Sequence, residues 1–178
     1  MLTKCIQKIP EVKDFPKPGI GFKDITPLLE DPECFRFVVD ELASWAEESG
    51  PEMVVGIESR GFLFGAALAY KLGTGIAVVR KKGKLPRECL CVKAPNEYAT
   101  EYFEMHKDAV RSGLKVLIVD DLIATGSSSI SAVDLVQQLG GEVVGFAAVV
   151  ELSFLKGVEA IQAAHPQLRI KSLIQFRE

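Results

Sequence analysis

Residues 116–129, VLIVDDLIATGSSS, decide the reading of this chain. Val116, Leu117, Ile118 and Val119 form an unbroken apolar run, the pattern of a strand buried on both faces as in a parallel sheet. Two carboxylates, Asp120 and Asp121, follow without a gap. Leu122 and Ile123 come next, and then a turn of small residues, Ala124, Thr125, Gly126, Ser127 and Ser128. Beyond the turn, Ile130, Val133, Leu135, Val136 and Leu139 recur at helical spacing. A strand, a tight turn and a helix N-terminus in that order make an anion site. The first N–H groups of a helix lack internal partners and lie at the positive end of its dipole, so a phosphate completes them. The hydroxyls of Thr125, Ser127, Ser128 and Ser129 add donors. No Gly-Lys-Ser/Thr ends the turn and no GxGxxG occurs in the chain, which argues against ATP and dinucleotides.

The acids narrow the ligand. They stand at the carboxyl end of the strand, where open α/β sheets bind their ligands. A carboxylate repels a neighbouring phosphate but accepts hydrogen bonds from vicinal hydroxyls. The pairing therefore predicts a ribose 5-phosphate, its phosphate in the turn and its O2′ and O3′ on Asp120 and Asp121. The plainer alternative is an acid pair ending a strand beside a Ser-rich helix cap. The stretch resembles the phosphoribosyl pyrophosphate (PRPP) motif of the type I phosphoribosyltransferases.

With 178 residues and 48% hydrophobic content, the chain is expected to form a single domain with a sizeable core. A net charge of −3 argues against nucleic acid as a partner. Cys5, Cys34, Cys89 and Cys91 have no zinc or CxxC spacing and read as reduced thiols. The charged N-terminus and the lack of an apolar run of about 18 residues predict a cytoplasmic protein with no membrane partner.

Residues 1–30 hold four of the nine prolines and the segment FPKPGIGF, so a short helix over 3–9 is expected to lead into an irregular hood. Asp31-Pro32 reads as N-cap and first residue of a helix reaching Glu48, with Gly50-Pro51 as its stop. A buried strand over 53–57 leads through Glu58-Ser59-Arg60-Gly61 into a helix over 62–72, ended by Gly73. After a strand over 76–79 comes Arg80-Lys81-Lys82-Gly83-Lys84-Leu85-Pro86-Arg87, five cations in eight residues of a net-acidic protein. It reads as a polyanion site, with a solvated basic loop as the alternative. Residues 86–106 are expected to form a hairpin lid with its tip at Pro95-Asn96-Glu97-Tyr98. A strand over 143–150, a helix over 153–164 and a strand over 170–174 complete the alternation. The expected fold is α/β, an open, mostly parallel five-stranded sheet flanked by helices. His106 and His165 read as surface residues.

Three further segments, FPKPGIGFKDIT at 15–26, VVGIESRGFLFG at 54–65 and VRKKGKLP at 79–86, resemble the adenine phosphoribosyltransferase family, as do Asn96-Glu97-Tyr98 and Val150-Glu151-Leu152 with Leu155-Lys156-Gly157. The resemblance spans nearly the whole chain. It implies transfer of phosphoribosyl from PRPP, carrying Mg²⁺, to N9 of adenine, giving AMP and pyrophosphate in a homodimer serving purine salvage. The implied roles are pyrophosphate binding by Ser59, Arg60, Arg80, Lys81 and Lys84, and adenine binding by Gly21, Phe22, Lys23, Leu122 and Ile123. Ala124 to Ser128 would hold the 5′-phosphate. Arg60, Asp120, Asp121 and Glu97 would serve catalysis, with Glu97 and Tyr98 on the lid. The family also implies a cis peptide at Glu58-Ser59. This chain has Gly126-Ser127-Ser128 where the family usually has Gly-Gly-Thr, so a Cβ at Ser127 restricts the turn. Competing readings are a phosphoribosyltransferase for xanthine or orotate, and a PRPP-sensing regulator. The regulator would need a DNA-binding region for which 178 residues leave no room.

Overall fold

A computed structural model describes residues 1–95 and 100–177. The chain runs α1 (Leu2–Gln7), β1 (Glu11–Lys13), β2 (Gly21–Lys23), α2 (Thr26–Glu30), α3 (Pro32–Glu47), β3 (Met53–Ile57), α4 (Gly61–Leu72) and β4 (Gly75–Lys81). It continues through β5 (Cys89–Lys93), β6 (Tyr102–His106), β7 (Lys115–Ile123), α5 (Ser127–Gln138), β8 (Glu142–Leu152), a 3₁₀ turn (Ser153–Leu155), α6 (Gly157–Ala164) and β9 (Ile170–Phe176).

Local chemistry explains the element ends. Asp31 Oδ1 accepts from the N–H groups of Glu33 and Cys34, both at 3.1 Å, and Pro32 takes the position where a missing N–H costs nothing. Such a cap contributes about 1 kcal/mol to its helix. Gly73, at φ 68°, closes α4 in the left-handed conformation that a Cβ disfavours.

The sheet order is β5-β6-β4-β3-β7-β8-β9. The five expected strands are β4, β3, β7, β8 and β9, and every pairing among them is parallel. Seven strands rather than five make up the full sheet, because β4 runs on past Val79 and offers its edge to β6, with Arg80 opposite Glu104. The expected hairpin strands β5 and β6 thus extend the main sheet antiparallel.

Side chains alternate across β7 into two cores. Leu117 and Val119 join Val38, Leu42, Phe64 and Leu68 from α3 and α4, while Val116 and Ile118 join Val133 and Val136 from α5. That two-sided burial is what an unbroken apolar strand requires. The hood is more ordered than its prolines imply, since β1 and β2 pair antiparallel, Glu11 to Lys23, and α2 follows them.

Strand order reverses between β3 and β7, with β4 on one side and β8 on the other. Ligand crevices of open α/β sheets lie at the carboxyl ends of the strands at such a reversal. Here those ends carry Glu58-Ser59-Arg60 and Asp120-Asp121.

Candidate active site

A cleft of about 510 Å³ opens there, lined by Glu58, Ser59, Arg60, Lys81, Lys84, Asp120, Asp121, Leu122 and Ser128. A second cavity of about 630 Å³ adjoins it, sharing Arg60 and Leu122, and is walled by the hood residues Gly21, Phe22 and Lys23 and by Ala124, Leu152, Phe154 and Leu155. The first is charged and the second mostly apolar. The junction is Arg60: its guanidinium lies 5.0 Å from the centre of the Phe22 ring, and its Nε lies 2.7 Å from Asp121 Oδ2.

Asp120 and Asp121 lie on β7 itself rather than after it, and each is only 5% exposed. Asp120 Oδ1 accepts from the Asp121 N–H at 2.8 Å. Burial, reinforced by the adjoining Asp121 carboxylate, pushes the Asp120 carboxyl well above the usual range. Asp121 Oδ2 is buried with no aligned hydrogen-bond donor among the described residues, so its contact with Arg60 is ionic. The Gly after Arg60 is a packing requirement. A Cβ on Gly61 would stand 2.9 Å from Asp120 Oδ1 and 3.0 Å from the Val119 carbonyl.

The basic cluster is held by carboxylates. Glu58 accepts from Lys84 Nζ, from Arg80 Nε at 3.3 Å and from the Lys81 N–H at 2.9 Å, while Lys81 Nζ pairs with Glu101 at 2.9 Å. Burial alone would raise the Glu58 carboxyl, but Lys84, the Lys81 N–H and Arg80 outweigh it and hold it below the usual range. Glu104, 6% exposed, accepts at 3.0 Å from each of the N–H groups of Gly83, Lys84 and Leu85, which fixes the loop that carries Lys84. The Glu58–Ser59 peptide is cis, as the resemblance implies.

Gly126, at φ 83°, makes the turn into α5, whose first N–H groups have no side-chain cap. A Cβ on Gly126 would stand 2.7 Å from the Gly157 carbonyl, and one on Gly157 would stand 2.2 Å from the Ala124 carbonyl. The turn is therefore pressed onto the start of α6. Ser127 is the first residue of α5, so its Cβ is accommodated, and its hydroxyl donates to the Pro95 carbonyl at 3.3 Å.

In the hood, Asp24 N–H donates to the Pro10 carbonyl at 3.0 Å, which sets the phase of the β1–β2 ladder. Alternation along an antiparallel pair then leaves the Gly21 carbonyl and the Lys23 N–H facing away from β1. Lys23 Nζ pairs with Glu11 at 2.7 Å and lies 4.6 Å from the Phe176 ring centre.

Most of the residues picked from the sequence converge on these cavities. Two shift. Ile123, 1% exposed, packs in the core on the α5 side instead of lining the apolar cavity, and Ala124 of the small-residue turn lines that cavity instead. Glu97 and Tyr98 lie outside the described residues. Sequence reasoning gave no site role to Glu58, Glu104 or Phe154, nor to Leu152 and Leu155, which it quoted only as part of a segment resembling the family. The signals for these were a lone acid before Ser59-Arg60 and an apolar group around Glu151. His165, expected at the surface, has Nε2 3.2 Å from Asp134 Oδ1 and is largely covered.

The phosphoribosyl transferase domain model matches residues 28–171. An adenine phosphoribosyltransferase of Acetivibrio thermocellus is 47% identical over 170 residues, 95% of this chain and 97% of that protein. The crystal structure of adenine phosphoribosyltransferase from Rhodothermus marinus is 44% identical with a TM-score of 0.93, covering 98% of both chains. The Saccharomyces cerevisiae enzyme, solved with adenine and an imino-altritol bisphosphate, is 38% identical with a TM-score of 0.87 over 97% of each chain. With the motif-bearing residues gathered at one switch point and relatives this similar along almost their whole length, the chain belongs to the phosphoribosyltransferase family, among the adenine phosphoribosyltransferases.

Proposed function

We propose that the protein transfers the 5-phosphoribosyl group of Mg²⁺-chelated PRPP to N9 of adenine, releasing AMP and pyrophosphate. The observation that carries the reading is the pair of adjoining cavities, one charged and one apolar, joined at Arg60. A diphosphate fits beside Ser59, Arg60, Lys81 and Lys84, with Arg80 behind them. The 5′-phosphate fits the uncapped start of α5, from Thr125 to Ser128. Asp120 and Asp121 lie between the two anion sites, where the ribose hydroxyls fall.

As pyrophosphate departs, negative charge grows on the leaving group and positive charge on the anomeric carbon. Arg60, Lys81 and Lys84 neutralise the first, and Arg60 offers a bidentate fork. The Asp121 carboxylate favours the second electrostatically. Mg²⁺ would enter chelated by the diphosphate of the substrate, whose charge it would help to neutralise.

The outward Gly21 carbonyl and Lys23 N–H present an acceptor and a donor, matching the N6 amino group and N1 of adenine, with Phe22 against the ring. Guanine offers an acceptor and an N1–H in those places. Two unpaired buried polar groups cost about 1–3 kcal/mol each, enough to reject it. Glu97, assigned from the sequence, accepts the proton that N9 attack displaces.

A homodimer follows from the resemblance, and Leu63 and Tyr70, seven residues apart on one face of α4 and exposed, supply apolar surface for it. No helix among the described residues is long and apolar enough to cross a membrane. The four free cysteines are in keeping with a role in cytoplasmic purine salvage.

An assay of PRPP consumption with adenine, guanine, hypoxanthine, xanthine and orotate tests the reading. Turnover confined to adenine is expected. Turnover of xanthine or orotate in preference, or PRPP binding without turnover of any base, contradicts it.

A further inference from the structure

Glu151 is a buried carboxylate that the reaction leaves unused. It stands next to last on β8, is 7% exposed, and has no cation within ion-pair distance among the described residues. Neutral donors fill it instead. Ser153 Oγ donates to Oε1 at 2.7 Å, and Ser172 Oγ and Gln175 Nε2 donate to Oε2, the latter at 3.2 Å. A carboxylate withdrawn from water is costly unless its oxygens are satisfied, so the three donors are held where the carboxylate needs them.

Those donors sit on the two segments that shape the base end of the cleft. Ser153 begins the 3₁₀ turn that carries Phe154 and Leu155 onto the apolar wall. Ser172 and Gln175 belong to β9, whose Phe176 lies under Lys23 Nζ, the side chain of the residue whose N–H faces the base. The register Glu151 to Gln175 and Leu152 to Phe176 links both walls to one point.

We infer that Glu151 is a positioning residue for base recognition: by bonding Ser153, Ser172 and Gln175 together it fixes the spacing between the Phe154–Leu155 wall and the hood strand. The inference rests on the adenine reading given above. It predicts that loosening this hub spoils adenine binding and spares PRPP, whose anion sites lie on β3, β4 and α5.

Steady-state kinetics on Glu151→Ala, Ser172→Ala and Glu151→Gln test it. Loss of one or more hub bonds should raise the KM for adenine roughly 3- to 10-fold in Glu151→Ala and Ser172→Ala, the range expected for single hydrogen bonds, with the KM for PRPP unchanged. Glu151→Gln keeps the shape, and its amide can still bond both serines, so it should stay within about twofold of the original protein. Equal rises in both KM values, an unmoved adenine KM in folded Ser172→Ala, or a Glu151→Gln as impaired as Glu151→Ala would each overturn the inference. If Glu151→Ala does not fold, Ser172→Ala decides alone. Failure of the unmodified protein to make AMP would remove the functional reading itself, whereas normal AMP formation with unaltered variants would remove only the role of Glu151.

Discussion

Asp121 and Asp120 are neighbours with opposite electrostatic situations. Asp121 faces Arg60 at 2.7 Å, and the proposed reading gives it the ribose hydroxyls, so Asp121→Asn should raise the KM for PRPP by about 10-fold or more, the worth of one charge-assisted hydrogen bond. Melting should hardly change, since the half-exposed Arg60 can turn to water. Unaltered PRPP affinity would remove Asp121 from the ribose site. Asp120 instead has a carboxyl raised by burial and by Asp121. A folded-state pKa above the unfolded one contributes stability fully present below the ordinary carboxylate pKa and lost as pH rises through the folded value. Asp120→Asn has no such titration. Its melting temperature relative to the original protein should therefore climb as pH rises above the ordinary carboxylate pKa, and a flat difference would contradict the assignment. The chemistry of these residue types was readable in the sequence, because two acids after a buried strand and before a small-residue turn have few uses. Their burial was not, and neither was Glu58: whether an acid clamps a lysine 26 residues away depends on strand neighbours that only the fold supplies.

At the scale of elements, the turn into α5 depends on α6. Gly157 approaches the Ala124 carbonyl so closely that Gly157→Ala must displace the turn. Thermal stability and the 5′-phosphate site should suffer together, by about 2 kcal/mol or more and at least several-fold in the KM for PRPP. A variant with native melting and native KM would mean that the turn yields freely. Glu97 belongs to the connection between β5 and β6. General acid–base help is typically worth about 10²- to 10⁴-fold, so Glu97→Gln should lower kcat within that range and leave PRPP affinity near normal. Full kcat across the pH range would send the proton to solvent instead. The helices other than α2, the parallel strands and the Asp31-Pro32 and Gly73 boundaries were legible from period and caps. The β1–β2 pairing was not, because three-residue strands between prolines carry no period to read. Nor did the pattern of 76–79 announce that β4 would continue through Arg80 and Lys81. Charged residues at the end of a strand look like loop until the edge partner β6 is known.

The whole molecule gathers the Glu58-Ser59-Arg60 segment, the Asp pair and the uncapped start of α5 at one end of a sheet, and the hood walls the cavity that adjoins them. The order β4-β3-β7-β8 puts Glu58-Ser59-Arg60, after β3, beside the Asp pair on β7, and the turn into α5 follows from the same strand. The hood strand β2 and the turn after β8 come from opposite ends of the chain to wall the base cavity. The most direct measurement is a crystal structure with Mg²⁺, PRPP and the unreactive base analogue 9-deazaadenine. It should place the diphosphate against Ser59, Arg60, Lys81 and Lys84, the ribose hydroxyls on Asp120 and Asp121, and the 5′-phosphate on the N-terminus of α5. The base should lie between Phe22 and Leu155 with its amino group on the Gly21 carbonyl. A 5′-phosphate and diphosphate in exchanged positions, or a base bound outside the cavity walled by the hood, would contradict the account.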